Sequence, residues 1–193
     1  MARPRSLVYG IGINNADYAV MSIVNGKQVI CPFYRAWYNM LRRCYCEKFQ
    51  AKNPTYIGCS VFKDWLFFLT FKTWMEKQDW EGKELDKDLL VKGNKVYSPQ
   101  TCAFVDGATN SFTTDSGAAR GDWPLGVYFE KANGKFRSRC SNPFTKKQEN
   151  LGYFECQNQA HQAWRKRKQE LALQLAGLQT DLRVASALME RYL

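Results

Sequence analysis

Between Gly134 and Cys140 the chain reads Gly-Lys-Phe-Arg-Ser-Arg-Cys. Successive side chains of a strand point to opposite faces, so Lys135, Arg137 and Arg139 fall on one side and Phe136, Ser138 and Cys140 on the other. A row of cations on one face is chemistry for phosphate; arginine can also read guanine bidentately, whereas lysine is more often a backbone contact. The flanking sequence has the same character. Residues 120 to 168 hold eleven Lys and Arg, Lys146 and Lys147 among them, against four Asp and Glu, an excess of seven in a chain whose net charge is +10. That concentration, with the cations of one strand on a single face, is the electrostatic footprint of a polyanion binder rather than of general solubility.

Other reactive residue types are sparse or dispersed. His161 is the only histidine. It is expected on a helix surface, off the Ala160, Ala163 and Trp164 face, and gives little basis for a Ser-His-Asp or Cys-His mechanism. The seven cysteines are odd in number and scattered, so they read as reduced thiols in packed positions rather than a disulfide framework. Cys44, Cys46, Cys59 and Cys102 invite a zinc reading, but Cys44-x-Cys46 is tighter than the usual zinc knuckle and Cys44 lies on an apolar helix stripe, so zinc is not expected. Taken alone, Asp86-Lys87-Asp88 is an exposed, self-compensating charge cluster.

These residues need elements to hold them. The 193 residues suffice for one large domain or two small ones, and a composition 45% hydrophobic and 15% aromatic supplies the core. No apolar run approaches the roughly 18 residues of a membrane span, and the N-terminus lacks the apolar core and small-residue cleavage site of a secretory signal, so a cytoplasmic location is expected. Asn25-Gly26, between Tyr18 to Val24 and Gln28 to Ile30, predicts a hairpin with a tight turn at positive φ. Phe33, Trp37, Met40, Leu41 and Cys44 recur at spacings of three and four and predict a helix; Val61 to Met75, rich in aromatics, predicts a second. Residues 82 to 112 are polar and turn-rich around a short Cys102 to Val105 strand, and 117–124 reads as a linker. After Trp164 the helix signal runs to the C-terminus, where Leu171, Leu175, Leu178, Leu182, Ala185, Met189 and Tyr192 form an apolar seam. Two partners for that seam stay open, the chain itself and a second copy in a homodimer.

Gly126-Val127-Tyr128-Phe129, the Asn133-Gly134 turn, the Lys135 to Cys140 strand, Leu151-Gly152-Tyr153-Phe154 and a helix through Ala160, Ala163 and Trp164 follow one another in this order. The pattern resembles the plant ethylene-response-factor (APETALA) DNA-binding domain, which also occurs fused to phage HNH homing endonucleases. The resemblance implies a three-stranded sheet set in the major groove of double-stranded DNA. Tyr128, Lys131, Lys135, Arg137 and Arg139 would face the DNA, and Phe136, Phe154, Ala160, Ala163 and Trp164 would hold the sheet to the helix behind it.

Upstream, Leu85-Asp86-Lys87-Asp88, Gly93-Asn94-Lys95, Tyr97 to Val105 and Asn110 resemble the HNH motif of phage homing-type nucleases, as do Trp37-x-x-Met40-x-x-Arg43-Cys44-Tyr45 and Trp65-x-x-Phe68. By that resemblance Asp86, Lys87, Asp88 and Asn110 stand at the catalytic positions. Such a nuclease needs a histidine after the first acidic residue to deprotonate water, and a divalent metal held against the scissile phosphate. Lys87 stands there instead, and an ammonium is protonated near neutral pH unless strongly desolvated. Asp86 and Asn110 keep donors for Mg²⁺, but the water activator is missing.

The expectation is an α+β protein: an HNH-endonuclease-like domain of degenerate ββα type over 1–116, a linker over 117–124, an APETALA-type domain with a three-stranded antiparallel sheet and packed helix over 125–170, and an extended C-terminal helix over 171–193 for docking or self-association. Its expected function is double-stranded DNA binding without hydrolysis and without a resident cofactor. Two alternatives stay open, a Mg²⁺-dependent endonuclease or nickase and an interaction protein that binds a host protein. No membrane partner is expected.

Overall fold

Asn25 and Gly26 take φ of 51° and 72°, a turn whose twist matches that of the strands it joins. It links β1 (Met21–Val24) to β2 (Lys27–Ile30), with Val24 opposite Lys27. This hairpin opens a computed structural model that describes residues 7–114 and 122–193. Contacts divide the chain into two units, Met1–Phe104 and Val105–Leu193. The division falls ahead of the boundary expected after residue 116, and most of the expected 117–124 linker lies outside the described residues.

In the first unit α1 (Pro32–Tyr45) starts on a proline, whose missing N–H is no loss at a helix N-terminus. Tyr34, Trp37, Met40, Leu41 and Cys44 form its buried stripe, and the Trp37 indole N–H donates to the carbonyl of Trp65 at 2.7 Å. The short α2 (Glu47–Lys52) follows. A continuous helix over Val61 to Met75 does not form. That stretch holds β3 (Ser60–Val61), a 3₁₀ turn over Lys63–Leu66 and only then α3 (Phe68–Met75). A long-range bridge explains the break: the N–H of Ile13 donates to Leu66 O at 2.8 Å, and the N–H of Phe68 to Ile13 O at 3.0 Å. These bonds hold Phe67 extended, and tertiary pairing overrides local helix preference. Trp65, Phe68 and Phe71 are nevertheless buried with the α1 stripe in one core. Downstream lie β4 (Glu84–Asp86), β5 (Val96–Tyr97) and β6 (Ala103–Val105), where β3 pairs with β5 in parallel and β4 pairs with β6.

The second unit begins with α4 (Gly107–Thr113), a helix within the stretch expected to be turn-rich. Asp106 caps it, its carboxylate accepting from the Thr109 N–H at 2.7 Å. Then come β7 (Val127–Glu130), β8 (Lys135–Ser141) and β9 (Gln148–Phe154), an antiparallel sheet in the order β7-β8-β9. Two helices complete the unit, α5 (Gln157–Ala176) and α6 (Leu182–Glu190). The extended C-terminal helix is thus a hairpin of two helices. The chain breaks after Gly177, and Asp181 restarts it by accepting from the Arg183 N–H at 2.9 Å. The Gln169 amide donates to Met189 O at 2.8 Å, so α6 runs back along α5 and buries Leu171, Leu175, Val184 and Leu188. Leu178 and Leu182, expected within the seam, stand 69% and 81% exposed at the turn. Of the expected seam, Leu171 and Leu175 are buried within the chain.

The architecture is α+β, with helices and several small sheets, one of them three-stranded and antiparallel. Among the described residues, no helix is long and apolar enough to cross a membrane.

Candidate nucleic-acid interface

Strand β8 is the centre of the three-stranded sheet, and its alternation is the one the sequence predicts. Ser138 and Cys140 are buried, and Phe136 packs against Phe129 with ring centroids 5.1 Å apart, on the side covered by α5 through Ala160 and Trp164. Gly126 lies so close to the Trp164 indole that any side chain there would collide with it.

Lys135, Arg137 and Arg139 point the other way. Their cross-strand partners define an open face: Glu130 is opposite Lys135, Tyr128 opposite Arg137 on one side, Tyr153 opposite Arg137 on the other, and Asn150 opposite Arg139. The Arg139 guanidinium lies 5.5 Å from the centroid of the Tyr128 ring, and that of Arg137 lies 5.7 Å from that of Tyr153. Arg137 Nε donates to Asn150 Oδ1 at 3.1 Å, which fixes the plane of its guanidinium. Arg139 makes a longer contact, 3.4 Å, to Gln148 Oε1. Both tyrosines are exposed, so each arginine is presented between a flat ring and an amide with its remaining N–H groups toward solvent. Lys135 is paired at 2.8 Å with Glu155, a solvent-exposed bridge of the kind that contributes little to stability.

A bulge gives this face its composition. The register of β8 against β9 shifts between Ser138 and Arg139, so that Gly152 faces Ser138 while Asn150, not Leu151, faces Arg139. Gly152 has φ of 121°, a conformation that favours glycine. Without the shift, Tyr153 would project to one side of the sheet and Asn150 and Gln148 to the other. With it all three join the arginines.

Lys131 sits in the exposed turn between β7 and β8, and Lys146 and Lys147 in the exposed loop between β8 and β9, where Lys146 has φ of 57°. Asn142 organises that loop: its Oδ1 accepts from the N–H groups of Phe144 and Thr145, and its Nδ2 donates to Glu149 at 2.7 Å. Glu149 also receives Arg167 of α5 in a two-pronged pair of 2.7 and 3.0 Å. The hydrogen bonds from Arg167 and then Asn142 pull its carboxyl down to about 2. Since the shift is downward, the stability it contributes is present above the ordinary glutamate value and is lost as pH falls toward 2. Arg167, one of the eleven cations of the basic stretch, therefore ties the sheet to the helix.

Lys168 is internal. Its ammonium donates to Phe112 O at 2.7 Å and lies 3.5 Å from the centroid of the Phe112 ring, with the Tyr192 and Trp164 rings beyond. Burial lowers its pKa to about 8. His161, expected at the surface, is half-buried. Its ring stacks on Trp164 at 5.4 Å, and its Nδ1 lies 3.0 Å from Leu125 O. One turn of helix separates His161 from Trp164, so the stacking partner is local, whereas the contact with Leu125 is not.

The residues at the nuclease-like positions serve the loop they belong to. Asp86 Oδ1 accepts from the backbone N–H groups of Asp88 and Leu89, at 2.8 and 2.6 Å. Lys87, expected in an exposed cluster, is only 4% exposed; its ammonium donates to Asp88 Oδ1 at 2.6 Å and to Asn94 O at 2.9 Å. Asn94 in turn donates to the carbonyls of Lys87 and Val96, which closes the loop. Asp86, Lys87 and Asp88 form one turn of the first unit, while Asn110 belongs to α4 of the second. Among the described residues, no three His, Cys, Asp or Glu side chains are grouped to hold a metal ion. All seven cysteines are free; burial pushes Cys44 and Cys102 up to about 12, which keeps them as protonated core thiols.

The sequence pointed to Tyr128, Lys131, Lys135, Arg137, Arg139, Lys146 and Lys147. It did not point to Tyr153, Asn150 or Gln148, because strand alternation places them correctly only once the bulge is known, and Gly152 was the one signal of it. Comparison with known proteins returns no matching family model, no matching curated protein and no matching solved structure, so the chemistry of this face carries the functional reading.

Proposed function

We propose that the protein binds double-stranded DNA through the open face of β7, β8 and β9, and does so without hydrolysing it. The observation that carries the reading is the pair Arg137 and Arg139, side by side on the central strand, each beside an exposed tyrosine and each with its amide partner. Cations at Lys131, Lys135, Lys146 and Lys147 flank them and suit the phosphate backbone, while the planar guanidinium groups suit base edges. The likeness to the ethylene-response-factor domain supports the same face and the same groove. Binding without hydrolysis is supported by the bonds that tie Asp86, Lys87 and Asp88 into their own turn.

A mobility-shift comparison of one sequence as duplex DNA, single-stranded DNA and RNA tests this reading, with the Arg137→Glu/Arg139→Glu variant alongside. Duplex DNA is expected to bind tightest and the variant to lose it; tighter binding of RNA, or a variant that binds as well as the parent, would overturn the reading. Supercoiled plasmid incubated with Mg²⁺ or Mn²⁺ is expected to remain intact. Cleavage that Asp86→Ala abolishes would transfer the function to the endonuclease class.

A further inference from the structure

A sheet edge presents unpaired N–H and C=O groups, and proteins usually guard such edges with charge, proline or a bulge. The edge strands of the three-stranded sheet are guarded in these ways, β7 by Glu130 and β9 by its bulge. Strand β1 of the first unit is not. From Tyr18 to Val24 the sequence holds no charge and no proline, and β1 pairs with β2 in unbroken register. Among the described residues no further strand pairs with it. Met21, Ser22, Ile23 and Val24 are all exposed, Ile23 to 78%. A two-stranded hairpin with apolar residues left in water is marginal by itself.

The hydrogen bonds of the hairpin define what its free edge offers. The Cys31 N–H donates to Val20 O at 2.9 Å, which marks these two as a hydrogen-bonded pair. By alternation Ser22 with Val29 and Val24 with Lys27 are the next such pairs, so Met21 and Ile23 turn their N–H and C=O groups away from β2. An antiparallel strand with the same spacing of outward groups completes this edge, and β1 of a second copy has that spacing. A two-fold axis at Ser22 sets Met21 opposite Ile23 of the second copy and Ile23 opposite its Met21, with the two Ser22 residues facing each other between them. Both apolar pairs then lie on one face, and no like charges stand opposite each other. Charge also favours a copy over another occupant. An acidic partner would be drawn to the cations of this chain, whereas two chains of net charge +10 approach most easily where neither is charged.

We infer that β1 pairs with β1 of a second copy across a two-fold axis, making a continuous four-stranded sheet in the order β2-β1-β1-β2. The inference is independent of the DNA-binding reading, and its test needs no nucleic acid.

Sedimentation equilibrium of the nuclease-treated full chain from about 1 to 200 μM tests it. The parent is expected to pass from monomer to dimer over that range, and at least as readily when salt is raised from about 0.1 to 0.5 M, since screening relieves the repulsion between the two chains. Ile23→Lys, at an exposed position, would set two ammonium groups about 7–8 Å apart on one face and is expected to weaken dimerisation about tenfold or more. Ser22→Cys reports the register. Cα atoms of a pair that is not hydrogen-bonded lie about 4.5 Å apart, within disulfide reach, so oxidised glutathione is expected to cross-link this variant well above the parent, which carries an exposed thiol at Cys156. Gln28→Cys, on β2 and three strand spacings or about 14 Å from its counterpart, is expected to cross-link no more than the parent. A parent that stays monomeric throughout, a dimer that Ile23→Lys leaves intact, or cross-linking of Ser22→Cys no greater than that of Gln28→Cys would each overturn the inference.

Discussion

Ser138 is fully buried under the sheet, and among the described residues its hydroxyl has no hydrogen-bond partner. Leaving a buried hydroxyl unsatisfied costs about 1–3 kcal/mol. Ser138→Ala removes the group without opening a large cavity, so it is expected to stabilise the second unit by about 1 kcal/mol, read as a rise of a few degrees in melting temperature. A fall would mean that the hydroxyl is satisfied. Lys168 makes a pH-dependent case. Its pKa is lowered from an ordinary 10.5 to about 8, by burial first, with Arg191 lowering it and Cys140 raising it. Between those two values the unfolded chain holds a proton that the folded chain has released, so the Lys168 contribution to stability rises with pH across that window. Denaturation of the parent and of Lys168→Met at pH 7, 8.5 and 10 is expected to show the difference between them moving in the parent's favour as pH rises; a constant difference would contradict the depressed value. Neither this ammonium nor that of Lys87 could be recognised as internal from the chain alone, because lysine is rarely buried and each is held by carbonyls distant or irregular in sequence.

At the scale of elements, local signals were the legible ones. Asn25-Gly26 specified its hairpin because few other dipeptides accept that turn, and the alternation of Lys135 to Cys140 specified which side of β8 is basic. Where a distant segment decides, the sequence misleads: Ile13 breaks the helix expected over Val61 to Met75. The cap by Asp181, a local bond from the Arg183 N–H, turns one expected helix into two. The composition of the candidate face was legible for the cations and not for Tyr153, Asn150 and Gln148 together, since only the bulge brings all three to one side. The bulge is also the element most open to test. Gly152→Ala places a side chain at φ of 121°, a strain on the order of 1–3 kcal/mol, and is expected to lower both stability and duplex affinity as the register changes. Asp181→Ala is the control, expected to lose about 1 kcal/mol of stability with the cap and leave duplex affinity unchanged, by thermal melts and anisotropy on the same samples. Loss of affinity in the control, or none in Gly152→Ala, would separate the bulge from the binding face.

Over the whole molecule, the net charge of +10 is not spread evenly, and structure narrows it further. Arg167, half-buried, and Lys168, buried, are engaged by bonds within the second unit, so the basic stretch contributes fewer cations to a ligand than its composition suggests. What is left on and around the open face is Lys131, Lys135, Arg137, Arg139, Lys146 and Lys147. Neutralising roughly six phosphates would make the logarithm of the duplex binding constant fall with the logarithm of salt concentration at a slope of about −5. The most direct test of the central claim is that slope, measured by anisotropy from about 50 to 200 mM salt for the parent and for Arg137→Glu/Arg139→Glu. The account predicts a slope near −5 for the parent and one shallower by about 2 in the variant, with weaker binding throughout. A salt-independent affinity, or the same slope in both proteins, would contradict it.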